Sequence, residues 1–114
     1  EQQKKVEIGT VKKQDISENQ AKIVFLGIGS NLGLRKINIE KAKSLLVDYK
    51  LNFLSVSSYY ETPSWPDPRN PEFLNIIVKL ECNYNPQELL KICKNIESQL
   101  GRKKTKKMLL VRVI

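Results

Sequence analysis

From Ile23 to Ile28 the chain is apolar at every position except Gly27, the pattern of a central strand covered on both faces. From Leu34 to Tyr49 the apolar residues Leu34, Ile37, Ala42, Leu45, Leu46 and Tyr49 recur at helical spacing between lysines and Glu40, which predicts an amphipathic helix. Residues 52 to 61 alternate and are rich in serine and tyrosine, as in a half-buried strand. Phe73 to Glu81 alternates more strongly, with Leu74, Ile76, Val78 and Leu80 on one side. Four of the five prolines, Pro63, Pro66, Pro68 and Pro71, fall between these strands and predict an extended loop, because proline cannot donate to a ladder. A second helix is signalled at both ends. Asn85 suits its cap, Pro86 its first position, Glu88 a capping box, Leu89, Ile92, Ile96 and Leu100 its stripe, and Gly101 its left-handed stop. Met108 to Ile114 reads as a short last strand.

The resulting order, strand, helix, strand, strand, helix, strand, predicts a ferredoxin-like α+β sandwich, an antiparallel sheet with two helices on one face. Residues 1 to 21 are polar and without long periodicity, which predicts a flexible tail or linker ahead of one domain at 22 to 114. A length of 114 residues, 40% of them apolar, suits a single core. No apolar run approaches the roughly 18 residues of a membrane span, and no secretory signal is evident, so the cytosol is the expected compartment.

Chemistry is narrowed first by what is missing. The chain has no histidine and two cysteines, Cys82 and Cys93, which excludes His-based acid–base catalysis, Ser-His-Asp triads and a zinc centre built from its own residues. The net charge of +8 is concentrated, since Arg102, Lys103, Lys104, Lys106 and Lys107 put five cations into six residues. Phosphate in some form is the obvious neutralising partner, a solvated basic loop the plainer reading. The segment Gly27 to Gly33 fits neither a dinucleotide fingerprint nor a Walker loop, and reads as a strand-to-helix turn with close backbone approach. Trp65 among prolines either stacks on a ligand or folds back over the core. Asn75 offers an amide able to read a planar heterocycle, and Glu97 precedes the cations at a helix end.

Taken together, GIGSNLG after an apolar strand, SSYYETPSW before the proline loop, PEFLNIIVKLE and NPQELLKICKNIESQLGR resemble the 6-hydroxymethyl-7,8-dihydropterin pyrophosphokinase family of folate biosynthesis, over Lys22 to about Arg102. The resemblance implies transfer of a diphosphate from ATP to the pterin hydroxymethyl group with two Mg2+ ions, on the same fold. It implies pterin-binding roles for Thr62, Pro63, Trp65, Phe73 and Asn75, and ATP-binding roles for Glu97, Arg102, Lys104 and Arg112. It also leaves room for another folate-pathway enzyme joined to or associated with the chain.

The resemblance breaks at the C-terminus. Members of the family carry Arg-Trp-Gly-Pro-Arg and then Asp-x-Asp, whose carboxylates hold the magnesium ions, whereas here Met108 to Ile114 holds no acid, Leu109 aligns with the tryptophan and Arg112 with the second arginine. Magnesium demands carboxylate oxygens. The chain is therefore expected to be inactive alone, as a fragment or frameshifted product, or as a shortened relative with another purpose. The rival from another class is a basic ferredoxin-like module binding nucleic acid or nucleotide. It lacks an RNP-like aromatic pair, since Ile77 and Lys79 share a face with Phe73 and Asn75.

Overall fold

The computed structural model describes residues 21–100 and 109–114. The expected tail up to position 20, and the run of 101–108 with Gly101, Arg102, Lys104 and Met108, lie outside the described residues. The elements are β1 (Lys22–Ser30), α1 (Arg35–Asp48), β2 (Asn52–Val56), β3 (Tyr60–Thr62), β4 (Phe73–Cys82), α2 (Pro86–Gln99) and β5 (Leu110–Val113). All pairings are antiparallel, and the sheet runs β2-β4-β1-β5 with β3 also on β4. This is the expected ferredoxin-like order once β2 and β3 are read as one interrupted strand.

The interruption has a local cause. Ser57 leaves the regular ladder but keeps both hydrogen bonds to Ile77, its N–H donating to the Ile77 carbonyl and its hydroxyl accepting the Ile77 N–H, each at 2.8 Å. The side chain thus replaces a backbone acceptor where the register slips, and the single strand expected over 52 to 61 becomes two segments.

One face of the sheet meets both helices. Leu26 and Ile28 of β1 and Ile76, Val78 and Leu80 of β4 pack there with Ile39, Ala42 and Leu46 of α1 and Leu89, Ile92 and Ile96 of α2. The stripe of α1 differs from its expected composition. Ile39 is fully buried while Leu34 and Ile37 are exposed, because Leu34 caps the helix and position 37 lies roughly 200° around the axis from 39. The two helices also begin differently. Asn85 and Glu88 form a complete capping box on α2, an arrangement that stabilises a helix by about 0.5–2 kcal/mol. Leu34 gives α1 no side-chain cap. The Asn38 amide instead secures the preceding turn, donating to Ser30 Oγ and to the Leu32 carbonyl at 3.0 Å each, and Gly33 takes the φ of +70° that this turn requires. Among the described residues no helix is long and apolar enough to cross a membrane.

Candidate functional site

The sheet face turned away from the helices carries the site. Register places Gly29 of β1 between Asn75 of β4 and Leu110 of β5, and Gly27 beside Ile77 and Arg112. Gly27 lies within β1, as the strand expected over Ile23 to Ile28 required, and Gly29, expected in the turn, lies in β1 as well, so that only Gly33 serves the turn. Their reason is space. A Cβ at position 29 would stand 2.6 Å from Asn75 Oδ1 and 3.3 Å from the Phe73 ring, so glycine is what admits both side chains.

Above this floor opens a cavity of about 410 Å³. Thr62, Pro63 and Trp65 wall one side, Phe73 and Asn75 rise from β4, and Leu110 and Arg112 close the other side. A second cavity of about 460 Å³ shares Trp65, Phe73, Leu110 and Arg112 and reaches Asn31, Ser64 and Pro71. All five residues expected to contact a pterin, together with Arg112, are thus brought to one cavity. Trp65 is 87% exposed at its rim and does not fold over the core.

Asn75 is oriented by its neighbours. Its Nδ2 donates to Thr62 Oγ1 at 3.0 Å, and the carbonyls of Tyr60 and Phe73 lie within 3.4 Å of the same nitrogen. With acceptors gathered at that end, Oδ1 must be the atom facing Gly29, and it accepts no hydrogen bond among the described residues. Thr62, whose oxygen accepts from Asn75, keeps its own hydroxyl proton to donate. The pair therefore presents an acceptor and a donor beside the Phe73 ring, the edge-and-face combination that suits a flat, hydrogen-bonding heterocycle. Asn31 Oδ1 is a further buried acceptor without a partner among the described residues.

The residues expected on the phosphate side are arranged differently. Glu97, expected near a nucleotide, is buried between α2 and β5, where Oε2 accepts the Val111 N–H at 2.8 Å. Burial and the neighbouring Glu97 charge push the Cys93 thiol up to about 11. Leu109, aligned with the family's tryptophan, is fully buried in the core, so Leu110 is the β5 neighbour of Phe73 at the cavity. Arg102 and Lys104 lie outside the described residues. Sequence reasoning missed Gly29 as the floor beneath Asn75, because only the register of β1 on β4 brings the two together. It also missed Asn31, although an amide closing a strand was a signal within the quoted GIGSNLG block.

The sheet thus gathers an amide, a hydroxyl and aromatic rings around a cavity floored by glycine on a ferredoxin-like fold. Residues 25–114 match the sequence profile of the 7,8-dihydro-6-hydroxymethylpterin-pyrophosphokinase family, and the chain belongs to that family. It is 39% identical over 80 residues to the 2-amino-4-hydroxy-6-hydroxymethyldihydropteridine pyrophosphokinase of Porphyromonas gingivalis strain ATCC 33277, covering 70% of this chain and 54% of that protein. The Bacillus subtilis protein of the same name is 36% identical over 81 residues, 70% of this chain and 48% of its own length. The "Folic acid synthesis protein fol1" of Schizosaccharomyces pombe is 39% identical over 85 residues, 74% of this chain and 12% of that protein. The chain thus spans about half the length of the curated pyrophosphokinases it matches.

Proposed function

We propose that this chain recognises the pterin ring of 6-hydroxymethyl-7,8-dihydropterin in the cavity over Gly29, and that this recognition serves the transfer of diphosphate from ATP for which the family is named. The carrying observation is Asn75, fixed through Thr62 with its carbonyl oxygen aimed over the glycine floor. In this reading Oδ1 accepts from the ring's N–H edge, the Thr62 hydroxyl donates to a ring acceptor, and Phe73 and Trp65 offer apolar faces. Arg112 supplies a cation beside the ring for phosphate oxygens, and Glu97, Arg102 and Lys104 belong to the nucleotide side.

The described residues do not fit the magnesium ions that such a transfer uses. The β5 positions at the cavity are Leu110 and Arg112, an apolar group and a cation, and no group of three or more His, Cys, Asp or Glu is placed to hold a metal among the described residues. Ring binding is therefore the part proposed for this chain by itself, and no AMP is expected from it with ATP, magnesium and the pterin. Association with a further folate-pathway activity is proposed from the fission-yeast relative and from the Arabidopsis thaliana relative called "Folate synthesis bifunctional protein".

Calorimetric titration with 6-hydroxymethylpterin tests this reading. Asn75→Ala removes an acceptor that the bound ring edge needs, a loss of about 1–3 kcal/mol or roughly ten- to hundredfold in affinity. Wild-type affinity retained in Asn75→Ala would mean that the ring sits elsewhere.

A further inference from the structure

The loop that carries Trp65 leaves the sheet at Thr62 and returns at Phe73, adjacent partners in the β3–β4 ladder. Its tip is ordered from within. Asp67 accepts the backbone N–H and the guanidinium of Arg69 at 3.0 Å, and the Asn70 N–H donates to the Asp67 carbonyl at 3.1 Å. Internal order does not fix how the loop stands over the cavity. Trp65, 87% exposed, has too little packing to fix it.

A side chain outside both cavities reaches the base of the loop. Arg35, the first residue of α1, donates from Nη2 to Glu61 Oε2 at 2.7 Å and from Nη1 to the Glu72 carbonyl at 3.1 Å. Glu61 precedes Thr62 and Glu72 precedes Phe73, so one guanidinium holds the outgoing and the returning leg together from the helix side. Arg35 holds the Glu61 carboxyl below its usual range. Just ahead of α1, the Asn31 amide donates to the Pro71 carbonyl at 3.4 Å, a longer bond to the same returning leg.

We propose that Arg35 is a positioning residue, a two-pronged clasp that sets the orientation of the 63–71 loop and so of Trp65 over the ring cavity. The role suits arginine specifically, because its planar fork reaches two acceptors at fixed geometry while a lysine ammonium is a single flexible point. The contribution to ligand affinity rests on the pterin reading of the cavity, whereas the clasp itself does not.

The chain's one tryptophan is Trp65, so time-resolved fluorescence anisotropy of the whole protein reports this loop without a label. Arg35→Gln, Arg35→Lys and Glu61→Gln are compared with wild type for Trp65 anisotropy without ligand, for 6-hydroxymethylpterin affinity and for the unfolding midpoint. An ion pair this exposed contributes little to global stability, so the midpoints stay together. The expected result is a fast Trp65 depolarisation whose amplitude roughly doubles in Arg35→Gln, with affinity lower by about three- to tenfold. Arg35→Lys and Glu61→Gln, each keeping part of the clasp, fall between. Unchanged anisotropy in folded Arg35→Gln overturns the clasp, and a loosened Trp65 with undiminished pterin affinity overturns its contribution to ligand binding. Absence of pterin binding in wild type overturns the ring reading instead, and the clasp then stands or falls on anisotropy alone. If Arg35→Gln does not fold, Glu61→Gln, which removes only the charge, decides by the same two readouts.

Discussion

The two walls of the cavity over Gly29 are held by different physics. The wall at 60–75 is a hairpin whose legs are paired, whose tip carries its own ion pair and whose Asn75 amide is fixed by the neighbouring threonine. The wall at 109–114 is a four-residue strand at the sheet edge, paired on one side with β1 and tied from beneath by the buried carboxylate of Glu97. In the proposed function the first wall carries recognition in its side chains. The second is anchored by Leu109 and Val111 in the core and by Glu97 on α2, and presents Leu110, Arg112 and Ile114 to the cavity. The two walls are thus separable, so ring binding should survive damage to β5, while handling of phosphate should not.

Glu97→Ala strikes the second wall hardest. It leaves the Val111 N–H buried without its charged acceptor, a cost of about 2–3 kcal/mol, and Glu97→Gln, which keeps an oxygen, costs about half of that. Denaturant unfolding measures the loss, and hydrogen exchange should show it first in the amides of β5, with those of β4 still protected. Affinity for 6-hydroxymethylpterin is expected to stay within about threefold, because no residue of the first wall rests on Glu97. Loss of ring binding in step with β5 protection would show that the walls are not independent.

Gly29→Ala tests the first wall with a smaller change. The added methyl would enter the space of Asn75 Oδ1 and press on Phe73, so Asn75 must swing away from Thr62. Affinity should fall by about tenfold, one hydrogen-bonded edge, with little change in the unfolding midpoint, since the strand ladder is retained. Equal affinity in the two proteins would place the ring away from the Gly29 floor.

The same contrast decided what the sequence made legible. Alternation along β4 and the capped stripe of α2 are local patterns, and they marked the core face and the helix start in advance. Phe73, Asn75, Thr62 and Trp65 were singled out through motif resemblance together with the chemistry expected of a ring site, and the fold brings them to one cavity. What stayed hidden depends on register and on long-range geometry. Gly29 lies 46 positions from Asn75 in the chain yet directly across the ladder, and Arg35 meets Glu61 across 26 residues. Glu97 was expected on the phosphate side because cations follow it in sequence, and what the sequence did not show is that its helix face turns it under β5, where a buried backbone N–H needed an acceptor. The α1 stripe was misread for a related reason, since apolar Leu34 and Ile37 sit at helical spacing from one another yet are exposed among the described residues.

Arg112→Ala is the mildest probe and separates the walls most directly. Arg112 stands across from Gly27 and lines both cavities, two ladder positions along β1 from the Gly29–Asn75 pair. A cation in that place adds attraction for phosphate oxygens and almost nothing for a neutral pterin. Exposed charge pairs contribute about 0.2–1 kcal/mol, so affinity for inorganic tripolyphosphate should fall by up to about fivefold. Affinity for 6-hydroxymethylpterin should change by less than about twofold. The tripolyphosphate affinity of wild type should also weaken as salt rises, and less steeply in the variant, because an exposed cation is screened. If the substitution weakens the pterin and leaves tripolyphosphate untouched, β5 belongs to ring recognition, and the division between the two walls falls.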